Sequence, residues 1–352
     1  MTPLEALLIR RIAATGPITV ADYMAECLLH PEHGYYTTRQ PFGTAGDFTT
    51  APEITQMFGE LLGLCLAQTW LDQGSPAAFT LAELGPGRGT LMADALRATR
   101  AVPGFHAAAQ VTLIEASPAL RQTQAATLGP HEAIWLDDIS DLPQAPLFLI
   151  ANEFFDALPI RQFTRDRDGW REHMVGLTDG SLSFGLSDAA QLGLLTHRLA
   201  DTNPGDIVEV CPAAPGIIEA IAQRIGAHCG AALVIDYGNW GSNGDTLQAL
   251  RAHAFTPPLA TPGEADLTAH VDFAALARAA APCAVGRADQ RTLLTRLGLH
   301  ARATRLAQNL QGAALESHLA ATHRLTDPTE MGTLFKALTL YPLGHNAPPG
   351  FD

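Results

Sequence analysis

The sequence predicts an α/β fold with a largely parallel sheet, and three observations lead to this prediction. The chain has 352 residues, of which 47% are hydrophobic and 16% are charged, so it has the material for a sizeable core. Apolar strands alternate with helical segments from Phe79 to Ala151, which is typical of parallel βαβ units. The alternation stops after Pro159 and resumes near Gly216, so we expect an insertion after the fourth strand.

The first part of the chain is predicted to be mainly helical. Apolar residues at helical spacing predict a helix that ends at Gly16, and Thr19 is placed to cap a second helix. The stretch His30–Pro52 is rich in Gly, Pro, Thr and aromatic residues and has no period, which often indicates a functional loop. A long apolar helix is expected over residues 53–72.

The core elements are predicted from alternating patterns in the middle of the chain. In order, they are strand Phe79–Leu84, helix Thr90–Arg100, strand Val111–Glu115, helix Pro118–Leu128, strand Ala133–Leu136 and strand Leu147–Ala151. An antiparallel ribbon is expected over residues 161–184, with turns at Asp168-Gly169 and Asp179-Gly180. The later elements are a strand at 207–211, a helix at 216–227, a strand at 232–237, helices at 273–281 and 292–297, and a helical tail.

Charge and composition exclude several classes of function. The chain carries 22 Lys and Arg residues against 36 Asp and Glu residues, a net charge of −14, so binding to nucleic acid or anionic membrane is not expected. The five cysteines are widely spaced without a CxxC pair, so we expect neither a disulfide framework nor a metal site. No apolar run is long enough to span a bilayer, so membrane insertion is not expected. Because the start of the sequence does not resemble a signal peptide, the prediction is a cytoplasmic protein.

The strongest local motif is ELGPGRGT, which follows an apolar strand and begins a helix. The residues of its turn are Gly85, Pro86, Gly87 and Gly89. Glycines there let a ligand approach the backbone, but their spacing differs from the G-x-G-x-x-G of dinucleotide sites. Glu83 precedes the turn, and its carboxylate would repel a pyrophosphate and attract a cation. This combination favours S-adenosylmethionine, which carries ammonium and sulfonium groups, while a purely structural turn remains the alternative.

Acidic residues follow the next two strands of the predicted sheet. Glu115 ends the second strand, where a carboxylate can accept hydrogen bonds from both ribose hydroxyls. Asp137 and Asp138 follow the third strand, where an acid can accept from the adenine amino group while Ile139 packs on the ring. Each acid alone is more often a solvated charge at a strand end. Because the carboxyl ends of parallel strands share one edge of the sheet, their combination with Glu83 indicates a cofactor site.

The fourth strand ends in ANEFFDALP, whose polar residues would lie near the transferred methyl group. A guanidinium acceptor is protonated in water, so it must lose a proton during or after methyl transfer. Glu153 can orient such a group and act as its base, and Asn152 lies beside Glu153 and close to the expected cofactor. Helix capping is the alternative role for these side chains.

Nine segments spread over nearly the whole chain carry a family resemblance. They are HPEHGYY (30–36), GDFTTAPEI (46–54), FGE (58–60), ELGPGRGTLMAD (83–94), ANEFFDALP (151–159), IDYG (235–238), GDTLQALR (244–251), PGEADLTAHVDF (262–273) and MGTLFKAL (331–338). With these segments the chain resembles the MidA-like family of class I methyltransferases, which includes mitochondrial complex I assembly methyltransferases and bacterial relatives. The resemblance implies a Rossmann-like sheet and an S-adenosylmethionine-dependent protein arginine methyltransferase. The implied acceptor is a hydrogenase-like core subunit of respiratory complex I.

The resemblance also implies roles for regions outside the sheet. Residues 30–52 would form a lid in which Asp47 meets the charge of the cofactor or the acceptor, although an ordered surface loop is the alternative. Asp47 is thus the third catalytic candidate, after Glu153 and Asn152, for handling the guanidinium. Asp236 is expected on the acceptor side, with solvated loop polarity as the alternative. The chain then divides into an N-terminal helical and lid region (1–78), the first part of the core (79–159), an insertion of ribbon plus helix (160–230), and the second part of the core with a C-terminal helical segment (231–352).

Other functions stay open on the sequence alone. The chain could be an assembly factor that binds S-adenosylmethionine without turnover, or a methyltransferase that acts on a small molecule or RNA. The net charge of −14 disfavours RNA. A nicotinamide-dependent oxidoreductase is disfavoured by the glycine spacing. A homodimer is also left open.

Overall fold

The computed structural model describes residues 1–38, 50–167 and 169–351. The helices are α1 (Pro3–Thr15), α2 (Val20–Leu29), α3 (Tyr35–Thr38), α4 (Ala51–Ile54), α5 (Gln56–Asp72), α6 (Thr90–Thr99), α7 (Phe105–Ala108), α8 (Pro118–Leu128), α9 (Ala214–His228), α10 (Phe273–Ala279), α11 (Gln290–Arg296), α12 (Leu299–Ala307), α13 (Gly312–Thr326) and α14 (Met331–Leu334), with 3₁₀ turns at Ile139–Asp141 and Gly193–Leu199. The strands are β1 (Ile18–Thr19), β2 (Phe79–Leu84), β3 (Ala109–Ile114), β4 (Ala133–Leu136), β5 (Leu147–Asn152), β6 (Arg161–Asp166), β7 (Gly169–Thr178), β8 (Ser181–Leu186), β9 (Ile207–Val210), β10 (Gly230–Asn239), β11 (Gln248–Arg251), β12 (Ala254–Thr256), β13 (Asp266–Thr268), β14 (Val271–Asp272), β15 (Ala284–Asp289) and β16 (Phe335–Tyr341).

The chain forms two compact units. The accessory unit comprises Met1–Phe48, Asp156–Ala214 and Trp240–Asp272, and the core unit comprises the remaining residues. Helix α5 belongs to the core unit, whereas residues 240–272 belong to the accessory unit. The predicted division at residues 78, 159 and 230 stays a prediction.

The sheet of the core unit has the strand order β15-β16-β10-β5-β2-β3-β4. The strands from β10 to β4 run parallel, and β16 runs antiparallel between β10 and β15. Leu84 of β2 lies opposite Ile114 of β3 and Ala151 of β5, so these strands end at the same edge. The predicted Rossmann-like α/β sheet is confirmed, and the insertion begins after β5, its fourth strand, as expected.

The centre of this sheet is buried. Every residue of β2 and β5 is buried, which is typical of parallel strands covered on both faces. On one face, alternate residues such as Leu81, Phe148 and Leu233 pack in a cluster with α5 and α6. A Cβ at Gly63 of α5 would lie 2.6 Å from the Cα of Ala95 in α6, so the glycine allows the two helices to pack closely. This packing holds α6, and therefore the turn that precedes it, against the sheet.

The accessory unit contains an antiparallel sheet with the order β1-β7-β6-β9, in which β8 also pairs with β7. The predicted ribbon is confirmed as β6, β7 and β8. Asp179 and Gly180 form its second turn with positive φ angles of 51° and 79°, while Asp168 of the first turn lies outside the described residues. A second sheet has the order β12-β11-β13. Helix α2 begins as predicted, because the hydroxyl of Thr19 accepts the N–H of Asp22 at 3.0 Å.

Two predicted elements differ from the structure. The single helix expected over residues 53–72 is broken at Thr55, whose extended φ of −159° ends α4 and whose hydroxyl accepts the N–H of Met57 in α5. The predicted helical tail ends in strand β16, which pairs with β10 and β15. In both cases the sequence carries little local signal. A helix break needs only one extended residue, and β16 pairs with strands that are distant in sequence.

Candidate functional site

A tight turn joins β2 to α6 at the carboxyl edge of the core sheet. Gly85, Gly87 and Gly89 have positive φ angles of 57°, 53° and 81°, and Gly89 is the N-cap residue of α6. A Cβ at Gly85 would lie 2.9 Å from the ring of Phe154, so a larger residue would not fit there without displacement. The N–H of Gly89 donates to the carbonyl of Pro86 at 2.7 Å and closes the turn. The first N–H groups of α6 therefore lie at the strand ends, where ligands of open α/β sheets bind.

Glu83 is buried directly before this turn. Its side chain is 3% exposed, and its Oε2 has no hydrogen-bond partner in the described part of the chain. Burial raises the pKa of Glu83 from 4.5 to about 8, although the N–H of Met92 in α6 opposes the shift. The group is therefore mainly protonated at neutral pH when no cation is near it. A cationic ligand group would stabilise the ionised form and give Oε2 a partner.

Glu115 follows β3 at the same edge, and both of its carboxylate oxygens are held. Oε1 accepts the N–H of Ser117 at 2.8 Å, and Oε2 accepts a hydrogen bond from Nε2 of Gln124 at 3.1 Å. Burial raises the pKa of Glu115 above its ordinary value, and these hydrogen bonds limit the rise. Each carboxylate oxygen has a further lone pair, so the group can still accept hydrogen bonds from two hydroxyls.

The two acidic residues after β4 have different roles: Asp137 forms an ion pair, and Asp138 caps the 3₁₀ turn that follows. Asp137 is exposed and pairs with the guanidinium of Arg121, which also donates to the backbone carbonyl after β3. Asp138 accepts the N–H of Ser140 at 2.8 Å, and hydrogen bonds from Ser140 lower the pKa of Asp138. Ile139 follows and is half-buried. The structure thus brings the predicted acids to the ends of the adjacent strands β2, β3 and β4.

Asn152 and Glu153 lie at the end of β5, the other neighbour of β2. Asn152 is buried, and its Nδ2 donates to Oε1 of Glu153 at 3.0 Å, while its Oδ1 has no hydrogen-bond partner among the described residues. Glu153 has a positive φ of 49°, an unfavourable conformation for a residue with a side chain. Its Oε1 also accepts the N–H of Ala51, the first residue of α4, at 3.2 Å. The capping role left open above is therefore present at α4, and two donors orient the Glu153 carboxylate.

Helix α4 connects this carboxylate to the glycine turn. Glu53 of α4 accepts a hydrogen bond from the hydroxyl of Thr90 at 2.5 Å and pairs with Arg88 at 3.3 Å. Because Thr90 begins α6, these contacts hold α4 beside both the turn and Glu153. Asp47, the third predicted catalytic residue, lies shortly before α4 and outside the described residues. The predicted lid is described only in part for the same reason.

Gln124 belongs to the site but was not predicted. It is fully buried in α8, and it hydrogen-bonds with the glycine turn, with Glu115 and with Trp135 of β4. A sequence signal existed, because Gln124 stands four residues from both Leu120 and Leu128 on the buried stripe of its helix. A carboxamide on such a stripe indicates a buried polar partner.

Asp236, expected on the acceptor side, is fully buried in the interior of β10. Its carboxylate accepts the N–H of Phe155 at 3.0 Å and the N–H of Tyr237 at 2.9 Å. Strand β10 runs two residues beyond its predicted end, so Asp236 is an interior position rather than a terminal one. It stabilises the backbone that follows Glu153.

Two negative findings limit the chemistry of the described residues. No group of three or more His, Cys, Asp and Glu side chains in residues 1–38, 50–167 and 169–351 is arranged to hold a metal ion. No helix in the same ranges is long and apolar enough to cross a membrane.

Comparisons with known proteins agree with this geometry. Residues 61–288 match the family model Methyltransf_28, which describes S-adenosyl-L-methionine-dependent methyltransferases. The mitochondrial protein arginine methyltransferase NDUFAF7 of Xenopus laevis is 38% identical, with 95% of this chain and 83% of the relative covered. The Homo sapiens protein of the same name is 37% identical, with 97% and 84% covered.

A solved structure also matches. The crystal structure of a COG1565 superfamily member from Burkholderia thailandensis, bound to S-adenosyl-homocysteine, is 29% identical with a TM-score of 0.84, and the match covers 99% of this chain and 93% of that chain. The prediction of a cytoplasmic protein is wrong, because the relatives from Xenopus laevis and Homo sapiens are named as mitochondrial. The homodimer stays a prediction.

Proposed function

Because the chain belongs to the Methyltransf_28 family of S-adenosyl-L-methionine-dependent methyltransferases, we propose that it methylates the guanidinium group of an arginine in a protein substrate. Membership in this family confirms the predicted cofactor and the predicted methyltransferase activity. The choice of arginine is supported by relatives that are named protein arginine methyltransferases at 37–38% identity. The observation that carries the proposal is the oriented Glu153 carboxylate beside the glycine turn.

The described residues fit the cofactor. Oε2 of Glu83 and Oδ1 of Asn152 are buried acceptors with no hydrogen-bond partner among the residues that the structure describes, so both are available to cationic and polar ligand groups. Glu83 and the turn would hold the amino acid portion, Glu115 both ribose hydroxyls, and Asp138 the adenine amino group. The full proposed set of contacts is Glu83, Gly85, Pro86, Gly87, Gly89, Glu115, Asp137, Asp138, Ile139 and Asn152. When bound, the cofactor supplies an electrophilic methyl group on its sulfonium.

Glu153 is the proposed base. Two N–H donors, from Asn152 and Ala51, fix the orientation of its carboxylate before the acceptor arrives. A carboxylate of this kind can pair with the guanidinium and align one nitrogen with the methyl group. As the new N–C bond forms and the C–S bond breaks, Glu153 takes the proton that the guanidinium loses. Asn152 orients Glu153, and Asp47 is proposed as a second carboxylate near the acceptor.

The proposed acceptor is an arginine in the hydrogenase-like core subunit of respiratory complex I, and methylation of that subunit would support complex I assembly. The family resemblance of the sequence is what supports this choice. The net charge of −14 favours a cationic protein segment over a nucleic acid as the second substrate.

Transfer of radiolabel tests the proposal directly. The purified protein is incubated with methyl-tritiated S-adenosylmethionine and the complex I core subunit, and the modified residue is identified by mass spectrometry. Glu153→Gln should reduce transfer by about 10²–10⁴-fold, as expected for loss of a general base, and should leave S-adenosyl-homocysteine affinity nearly unchanged. Glu132→Gln, at an exposed position of the core unit, is the matched control and should keep full activity.

Three outcomes separate the alternatives. Full transfer by Glu153→Gln would remove this residue from the reaction. Cofactor binding without any transfer to protein would support the assembly factor without turnover. Transfer to a small molecule or RNA in place of the protein would contradict the proposed substrate class.

A further inference from the structure

The carboxamide of Gln124 joins three elements around the ribose position proposed above. Its Nε2 donates to the carbonyl of Gly87 in the turn at 2.9 Å and to Oε2 of Glu115 at 3.1 Å. Its Oε1 accepts the indole N–H of Trp135 in β4 at 2.8 Å. The side chain is fully buried, so these partners replace the hydrogen bonds that water would make.

Trp135 determines which way this carboxamide faces. An indole N–H can only donate, so the amide oxygen must point toward it. The two N–H groups of the amide then face the carbonyl of Gly87 and the carboxylate of Glu115, which are both acceptors. The opposite orientation would place an oxygen against two acceptors and an N–H group against a donor. Gln124 therefore has one consistent orientation.

The same arrangement fixes the rotation of the Glu115 carboxylate. The N–H of Ser117 holds one oxygen and Gln124 holds the other, so the plane of the group is defined at both ends. Two neighbouring oxygens in a fixed plane match the two neighbouring hydroxyls of a ribose. Without Gln124, Oε2 loses this donor, and the carboxylate is freer to rotate away from the diol.

Gly89 allows α8 to lie close enough for these contacts. A Cβ at Gly89 would lie 3.3 Å from the Cα of Gln124, which is closer than most Cβ contacts in proteins, and at ordinary contact distance (3.5 Å) from its Cβ and Cγ. The third glycine of the motif therefore has a packing reason in addition to its positive φ of 81°.

We infer that Gln124 is a positioning residue that sets the Glu115 carboxylate for the ribose diol and makes the site selective for nucleosides with both hydroxyls. The inference rests on the proposed role of Glu115 and deepens it. Gln124 does not touch the ligand itself, and it acts through Glu115.

Calorimetric titration with S-adenosyl-homocysteine and with its 2′-deoxy analogue tests this role. The wild type should bind the ribose ligand more tightly than the deoxy ligand. Gln124→Met keeps a similar length but removes both N–H donors, and it should weaken binding of S-adenosyl-homocysteine about tenfold while changing the deoxy analogue much less. Gln110→Met, the same substitution at an exposed position of β3, is the control and should change neither affinity.

The ratio of the affinities for S-adenosyl-homocysteine and its 2′-deoxy analogue shows whether Gln124 positions Glu115 for the diol or only stabilises the fold. An equal loss for both ligands, or no loss for either, would overturn the inference. If Gln124→Met does not fold, Gln124→Glu keeps the size and the acceptor facing Trp135 but places an oxygen opposite Glu115. It should lose the selectivity as well, and retained selectivity would overturn the inference. If the wild type does not bind S-adenosyl-homocysteine, it is the proposed cofactor site that fails.

Discussion

Replacing Glu83 by Gln keeps the shape of the side chain and removes its charge. The carboxyl group is buried, its Oε2 has no hydrogen-bond partner among the described residues, and burial raises its pKa to about 8. If Glu83 binds the ammonium end of the cofactor, ionisation of this group must accompany binding. The substitution therefore has separate consequences for stability and for affinity, and both depend on pH.

The stability effect follows from the raised pKa of Glu83. Between the ordinary pKa of 4.5 and the folded value near 8, the ligand-free folded protein keeps a proton that the unfolded chain has released. Protonated Glu83 contributes its full stabilisation below pH 4.5. As the pH rises from 4.5 to about 8, this contribution to the free energy of unfolding is lost at about 1.4 kcal/mol per pH unit. The total loss is on the order of 5 kcal/mol. Because Glu83→Gln does not titrate, its melting temperature relative to the wild type should rise from about pH 5 to about pH 8.

Affinity should change with pH in the opposite direction. With the pKa of Glu83 near 8, its ionised fraction rises from about 1% at pH 6 to about 10% at pH 7, so the wild type should bind S-adenosyl-homocysteine about tenfold more tightly at pH 7. The α-amino group of the ligand stays mainly protonated over this interval, because even the less basic α-amino group of a peptide has a pKa of about 7.7–8.0. Calorimetry at both pH values, in buffers of different ionisation enthalpy, also measures the proton released on binding.

The pH dependence of ligand affinity in Glu83→Gln shows whether Glu83 causes the change in the wild type. Glu83→Gln should bind more weakly at pH 7 and should show almost no change between pH 6 and pH 7. Parallel pH profiles for the two proteins, with no proton released by the wild type, would show that Glu83 does not ionise on binding. That result would remove it from the cofactor site.

Three further predictions concern the surroundings of the site. Glu115→Ala should weaken S-adenosyl-homocysteine binding by about 1–3 kcal/mol in calorimetry, because it removes the acceptor proposed for both ribose hydroxyls, and unchanged affinity would exclude that role. In Arg224, the buried guanidinium donates to the carbonyls of Ser140 at 2.8 Å and Leu142 at 3.2 Å, in the loop after β4. Arg224→Met should therefore increase hydrogen exchange in this loop and lower the affinity for S-adenosyl-homocysteine several-fold. Unchanged exchange would show that other contacts hold the loop. Gly89→Ala should cost about 1–3 kcal/mol in denaturant unfolding, because φ is 81° there and the new Cβ would crowd α8, and wild-type stability would contradict this.

The parallel part of the core sheet, from β2 to β5 with the helices between these strands, was predictable because its signals are local, whereas β16 was missed. Helix Pro118–Leu128 and strand Ala133–Leu136 have the predicted bounds. A proline in the first helical turn and a glycine after the last explain the helix, since both act on the neighbouring backbone alone. The alternation of such elements then predicted the order of strands and helices. It also predicted that Glu83 and Glu115 lie at the same edge of the sheet.

The contacts within the site were not predictable, because they join residues that are distant in sequence. Glu153 lies 102 residues from Ala51, whose N–H it accepts, and Asp236 lies 81 residues from Phe155. The periodicity of apolar residues gives no information about hydrogen bonds between residues so far apart in sequence. The sequence placed polar residues at the ends of strands, but the partner of each, and the burial that raises the pKa of Glu83, depend on the packed structure.

A crystal structure of this chain with S-adenosyl-homocysteine is the most direct test of the proposed site. We expect the two ribose hydroxyls within about 2.6–3.2 Å of the two oxygens of Glu115 and the ligand ammonium next to Glu83, with the glycine turn between them. A nucleoside bound away from the ends of β2 and β3, or a ribose that does not contact Glu115, would contradict the assignment of these acidic residues to the cofactor.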